Sequence, residues 1–378
     1  MAPRGVRRAI TVAVTVCCGL VACSRSPTPE PEEPSAQRSV RVLGWFDYIA
    51  PDAIPRFERE TGIKVVYDVI DTNATLEAKL MAGNTGYDVV IPAGSFLSRQ
   101  IPAGVYQPLD RSRLPNLAGA DTAQMHRLDA YDPGNRYSAP YLWGVHGIAV
   151  DVAKVRARLP DAPLDSWGLI FDPAQAAKLA DCGISLFDSP HYMTLAVYHW
   201  LGLDPTSESE EDLAKVDATL RGLRPHVRKI DSISTVSDMT SGEVCVSIVS
   251  SGDIVQSRDR AREAGRPFGF EFHIPREGAT IWFDVMAIPA DAPAPAEAHA
   301  FVNFMLDPAN AAANTNAVGY PNAIDAARPL LRPEIAADPA VYPPPALLER
   351  TTVDSMPGAA AVRARNRVWT RFLTDDYR

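Results

Sequence analysis

"VRVLGWFDYIAPDAIPRFERETGIKVVYDV", residues 40–69, reads as strand, helix, strand. "VRVLGW" is a short apolar strand. "DAIPRFERETG" has the spacing of a helix from Asp52, with Gly62 as its stop, and "IKVVYDV" is a second strand. The pattern continues outward. "TNATLEAKLMAG" opens a helix with Thr72 as N-cap and ends it at Gly83, "YDVVIP" is a third strand, and "GSFLSRQIPAG" opens a helix behind Ser95. Alternation of this kind predicts an α/β fold with a mainly parallel sheet covered by helices. Ligands of such sheets bind at the carboxyl ends of the strands. Trp45, Phe46, Asp47 and Tyr48 lie at one such end, and Pro92 to Phe96 lie at another.

The rest of the chain repeats the alternation. "PYLWGVHGIAVD", residues 140–151, fits a strand crossing from one lobe to another. "CGISLFD", "GEVCVSIVS" and "TIWFDVMAIPA" read as further strands, with helices between them. "PAEAHAFVNFMLDPANAAANTNA" reads as helical, and the Pro-rich last part is helical in patches. A chain of 378 residues, 46% hydrophobic, has the length for two lobes. The expected division is residues 40–144 plus 270–307 for the first lobe and 145–269 plus 308–378 for the second.

The start of the chain stands apart. Arg4, Arg7 and Arg8 precede an apolar run from Ala9 to Val21, too short to span a bilayer comfortably, and the run closes on "LVAC". This looks like a bacterial lipobox, in which residues 1–22 are a signal peptide and Cys23 receives lipid; an ordinary secretory signal or a short anchor is the alternative. "SRSPTPEPEEPSAQR" is too polar and Pro-rich for a core and reads, within residues 23–39, as a tether. The expected location is the periplasm or cell envelope, at a membrane surface. Losing residues 1–22, with their three Arg and no acid, takes the formal charge from −9 to −12. That balance argues against a nucleic-acid partner and suits a cationic small ligand. Cys182 and Cys245 remain in an oxidising compartment, as one disulfide or as two buried thiols.

Enzyme signatures are absent: no G-x-S-x-G, H-E-x-x-H, C-x-x-C, P-loop or G-x-G-x-x-G occurs, and the seven His show no metal-ligand spacing. What recurs is an acid beside aromatics or a tight Gly turn. Asp47 lies between Phe46 and Tyr48, Asp253 follows Ser250-Ser251-Gly252, and Asp284 follows Trp282-Phe283. An organic ammonium asks for that combination. Carboxylates give it charge-assisted hydrogen bonds, and ring faces add up to about 2 kcal/mol when it is desolvated. Asp253 could instead simply cap a helix, and Trp45 and Trp282 could be core rings. Asp284, inside an apolar strand, needs a cation or donors.

Further resemblance lies in "WFDYIAPD", "FERETGIKVVYDV", "LEAKLMAGNTGYDVVIP", "SFLSRQIPAGVYQPLD", "CGISLFDSP", "SGDIVQ", "FDVMAIPADA" and "YPNA". Through these the chain resembles the polyamine-binding proteins of bacterial ABC uptake systems, and among them the putrescine-binding branch. The resemblance runs from about Val40 to the C-terminus. It implies a two-lobed type II periplasmic-binding fold that closes on its ligand around hinge strands. It implies an ABC permease and ATPase as partners, a monomer, and no cofactor, metal or catalysis. The family's ligand aromatics fall on Trp45, Tyr48, Trp282 and Tyr320. Its amine-binding acids fall on Asp253 and Asp284, with Asp47 near the other end. Ser95 and Phe96 match its strand-end loop, and its disulfide falls on Cys182 and Cys245.

The chain departs from that pattern at one pole. Phe46 stands where putrescine binders carry a small hydroxyl, Ser250 where Trp is usual, and Ala93 replaces a Ser. His191 and Tyr192 stand where the family has acids, leaving Asp47 and Asp188 as candidates for a second ammonium. The expected function is a lipid-anchored binding protein of an ABC importer for a diamine or polyamine such as putrescine. Three alternatives accompany it: a different amine, because that pole is altered; an amine sensor without a transporter; and an enzyme on a similar fold.

Overall fold

In the computed structural model, residues 37–232 and 234–375 are described. The signal sequence, Cys23 and nearly all of the tether lie outside them. The strands are β1 Ser39–Trp45, β2 Lys64–Ile70, β3 Val89–Val90, β4 Ser138–Asp151, β5 Ile184–Leu186, β6 Lys229–Ile230, β7 Val246–Ser250, β8 Phe270–His273, β9 Ala279–Ala287 and β10 Thr351–Val353.

Local chemistry sets the opening unit. The helix Ala53–Thr61 ends at Gly62, whose φ of 69° is left-handed, so the residue without a Cβ terminates it cheaply. Thr72 caps the helix Asn73–Ala82 by accepting from the Thr75 N–H. The next helix begins at Gly94 behind Ala93, so Ser95 sits inside its first turn instead of before it. One expected long helix is two, Pro295–Met305 and Pro308–Val318. Asp307 accepts from the Ala309 and Asn310 N–H groups, and Pro308 occupies the first turn, so a new helix starts there.

The strands join in one sheet in the order β2-β1-β3-β9-β4-β7-β5-β6, with β10 on β9 and β8 on β4. β1 pairs parallel with β2 and β3, and β5 pairs parallel with β6 and β7. Between these parallel ends, β4 and β9 run antiparallel to one another.

The apolar interior divides around β4. Ala139, Tyr141, Leu142, Trp143 and Val145 pack in cores shared with β1 and β9. Ile148, Ala149 and Val150 pack in cores shared with β7. His146 and Gly147 are the crossing point of this strand. The segment 308–331 does not follow its expected lobe. Ala311, Ala312, Val318, Ile324 and Leu331 pack with Val40 and Phe57, in the core of the first strands. The C-terminal helix returns to the second group, where Val368, Trp369 and Phe372 pack with Ile184 and Val246.

Cys182 and Cys245 form a disulfide, with Cα atoms 5.5 Å apart. The pairing explains it: Ile184 lies opposite Val246 in parallel strands, and each Cys precedes one of them.

Candidate functional site

β9 alternates its side chains, so Trp282 and Asp284 face away from Phe283 and Val285. Trp282 joins the core that holds Tyr48 and Tyr320, while Phe283 and Val285 join the opposite one. Asp284 is 9% exposed, and its Oδ2 accepts from the Tyr48 hydroxyl at 2.9 Å. Tyr48 reaches it because Asp47 takes a left-handed φ of 55°, turning the chain just past β1. The aromatic quartet is thereby split. Tyr48 is buried, Phe46 is 78% exposed, and Asp47 points outward, 3.6 Å from Arg260. Phe46 and Asp47 are therefore not brought to the cluster that sequence assigned them to. Trp45 is half-buried at the end of β1, with its indole N–H buried and unpartnered.

A second carboxylate comes from the turn after β7. Asp253 sits in the first turn of the helix Ser251–Glu263 and accepts from the Ser250 backbone N–H at 3.0 Å, so it does cap the helix. Its other oxygen accepts from the Tyr320 hydroxyl at 2.7 Å. Gly252 makes that approach possible. A Cβ there would lie 2.5 Å from the Tyr320 ring, nearer than side chains tolerate.

The opposite end holds residues that the sequence reading missed. Asp354, just past β10, is 2% exposed. Its Oδ1 meets His191 Nε2 at 2.5 Å, and its Oδ2 accepts from the Tyr192 hydroxyl at 3.4 Å. His191 Nδ1 is backed by Arg365 at 3.1 Å. The buried Ser95 hydroxyl acts on Asp354 without completing an aligned hydrogen bond. His146, at the crossing point of β4, contacts Ser250 Oγ through Nδ1 at 3.1 Å, and its Nε2 is buried without a partner. Asp188 is engaged elsewhere, accepting from the Trp369 indole at 2.8 Å.

Rings connect the two ends. Tyr320 packs edge-on against Trp282 with centroids 5.3 Å apart, Trp282 lies 6.1 Å from His146, and His146 lies 4.0 Å from Tyr192. Tyr48 meets Tyr320 edge-on at 5.8 Å. The result is an aromatic wall running from Asp253 to Asp354.

Burial sets the electrostatics. It pushes the Asp284 carboxyl up to about 7, against the Tyr48 hydrogen bond and with help from the Asp354 charge. It pushes Asp253 up to about 6, against the Tyr320 and Ser250 hydrogen bonds. Burial would raise Asp354 too, but His191 outweighs it, with Ser95 and His146, and leaves this carboxyl below its ordinary value. Burial pushes His146 down to about 3, which keeps the imidazole neutral.

Residues 52–343 match the family described as bacterial extracellular solute-binding protein. The putrescine-binding periplasmic protein SpuD of Pseudomonas aeruginosa is 45% identical over 334 residues, covering 88% of this chain and 91% of the relative. The putrescine-binding periplasmic protein PotF of Escherichia coli is 42% identical over 338 residues, covering 89% and 91%. The spermidine/putrescine ABC transporter substrate-binding protein PotD of Streptococcus pneumoniae superposes with a TM-score of 0.76 at 26% identity, covering 89% of this chain and 99% of that one. The chain belongs to the bacterial extracellular solute-binding proteins.

A solute-binding protein is a transporter component, not an enzyme, and this one has the two-lobed type II fold of its neighbours. Its departures from the putrescine-binding pattern are not scattered. Ser250 touches His146, and His191 and Tyr192 touch Asp354. Ala93 bridges to Asp284 through the backbone. Only Phe46 stands apart, in solvent. The signal for Asp354 in sequence was an acid closing the short strand "TTV". For His146 it was one polar ring inside the apolar run "PYLWGVHGIAVD".

Proposed function

We propose that this solute-binding protein captures a protonated diamine or polyamine, of the putrescine class, in the periplasm and delivers it to an ABC permease. The observation that carries this reading is the pair of carboxylates, buried Asp284 and half-buried Asp253, each held by a tyrosine hydroxyl beside Trp282. Buried carboxylates with raised pKa values are unfavourable as anions until a cation arrives. An ammonium supplies that charge and gains charge-assisted hydrogen bonds from both. Trp45, Tyr48, Trp282 and Tyr320 supply ring faces for the carbon chain. Relatives named for putrescine and for putrescine/agmatine support the ligand class.

Closure of the lobes over the amine, about β4 and β9, presents a loaded shape to the permease. The protein acts as a monomer, without cofactor, tethered to the membrane through a lipidated Cys23. One acyl chain anchors only marginally, so several are expected there. Cys23→Ser moves the protein from the membrane to the soluble fraction; an unmodified N-terminus by intact mass overturns the anchor. Calorimetry with putrescine, cadaverine, spermidine, agmatine and a monoamine tests the ligand class. At least one of these amines binds; if none does, the amine reading is wrong.

A further inference from the structure

We propose that Asp354, Ser95 and His146 form a second cation site, which holds the far ammonium of a diamine and makes the protein select diamines over monoamines. The proposal rests on the amine reading of Asp253 and Asp284 and names the groups at the other end of the same ligand.

Three independent observations meet at Asp354. First, its carboxylate is almost fully buried yet kept ionised, because the His191 imidazole, itself braced by Arg365, faces one oxygen. That contact orients the carboxylate and leaves the longer Tyr192 contact, at 3.4 Å, on the other oxygen. A carboxylate offers about four lone-pair positions, so acceptor capacity remains on both oxygens.

Second, two more polar atoms of the same neighbourhood are buried without partners: Ser95 Oγ and His146 Nε2. Ser95 is 1% exposed and His146 is 6% exposed, so water does not readily satisfy them. His146 packs on Tyr192, whose hydroxyl contacts Asp354, and Ser95 acts electrostatically on the same carboxylate. Burial keeps His146 neutral. In the tautomer that donates Nδ1–H to Ser250 Oγ, its Nε2 presents a lone pair. A carboxylate, a hydroxyl oxygen and an imidazole lone pair together match the three N–H donors of a primary ammonium.

Third, the spot lies at the end of the aromatic wall that begins at Asp253. The rings Tyr320, Trp282, His146 and Tyr192 follow one another without a gap. They lead from the Tyr320–Asp253 contact at the first pole toward Asp354, which the Tyr192 hydroxyl touches. The charges also match. Asp354 raises the Asp284 carboxyl in the empty protein, so a dication relieves a repulsion that a monocation relieves only at one end. Ser250 is part of the device, because a large ring at that position would stand in place of its contact with His146.

The test compares putrescine with n-butylamine, and cadaverine with n-pentylamine, by calorimetry on the full mature chain. Wild type prefers each diamine over its monoamine. Asp354→Asn weakens diamine binding by about 30-fold or more, the lower end of truncating a buried charge pair, and changes monoamine binding much less, so the preference for diamine over monoamine collapses. Ser95→Ala removes a hydroxyl that makes no aligned hydrogen bond, so the fold is retained; it weakens diamines by about 10-fold and monoamines much less, lowering the diamine preference. Ser95→Ala carries the test if Asp354→Asn does not fold. Equal binding of diamine and monoamine by wild type overturns the proposal. So does a variant that loses both ligands alike, or one that keeps the diamine preference. Failure of every amine to bind wild type is a different outcome and removes the amine reading itself.

Discussion

Asp284→Asn is expected to make the empty protein more stable at pH 8 while it weakens ligand binding. The carboxyl of Asp284 stands at about 7 in the fold against an ordinary 3.8, chiefly because it is buried. A folded-state pKa above the unfolded value means that the folded protein holds this proton more tightly. Stability is therefore fully retained below about pH 4 and is lost as pH rises from there to about 7. At 1.36 kcal/mol per pH unit, the penalty at pH 8 amounts to about 4 kcal/mol. Asparagine removes the penalty and can still accept from the Tyr48 hydroxyl through its amide oxygen. Its new NH2 group lacks an arranged partner, which costs about 1–3 kcal/mol. The net gain is about 1–3 kcal/mol at pH 8, read as a rise in Tm of about 2–5 °C, and it shrinks as pH falls and reverses to a loss of about 1–3 kcal/mol near pH 4, where the burial penalty is gone and the amide cost remains. Amine binding weakens by about 2–5 kcal/mol, because half of the carboxylate pair is gone. Scanning calorimetry across pH, paired with titration calorimetry, measures both. A variant less stable than wild type at pH 8, or one that binds putrescine as wild type does, refutes the reasoning.

Three further outcomes follow from the same geometry. Ammonium binding requires ionised carboxylates, so affinity falls by about 100-fold or more from pH 8 to pH 5 as groups at about 7 and about 6 take up protons; a flat titration series would falsify the raised carboxyls. Gly252→Ala pushes a Cβ into the Tyr320 ring and pulls its hydroxyl from Asp253, costing about 1–3 kcal/mol in amine affinity without touching a charge; unchanged affinity would show that Tyr320 does not shape the site. Reducing the Cys182–Cys245 bridge, which spans a sequence separation of 63, lowers unfolding stability by about 4 kcal/mol, and equal denaturation midpoints with and without reductant would contradict this.

The parts legible in sequence were those governed by nearest neighbours. Gly62 ended its helix by going left-handed, Thr72 capped the next one, and the first two strands fell where apolar periodicity put them. Asp284 was legible too, because a carboxylate inside an apolar strand has few explanations. The failures share a cause: side-chain direction and distant contact are not local properties. Phe46, Asp47 and Tyr48 are consecutive, yet one left-handed residue sends Tyr48 inward and its two neighbours outward. An acid does meet His191 and Tyr192, but it is Asp354, far along the chain, through a contact that no spacing rule encodes. The segment 308–331 was assigned to the second lobe by order along the chain, but its small residues pack against Val40 and Phe57. The break at Asp307-Pro308 carried a recognisable N-cap followed by Pro, and the apolar spacing across it concealed that signal.

The measurement that bears most directly on the central claim is a crystal structure of the protein with putrescine. The account predicts one amine nitrogen about 2.7–3.2 Å from carboxylate oxygens of both Asp253 and Asp284, with the carbon chain against Trp282 and Tyr320. Putrescine lying elsewhere, with the Tyr48–Asp284 and Tyr320–Asp253 pairs undisturbed and no nitrogen near either acid, would contradict it.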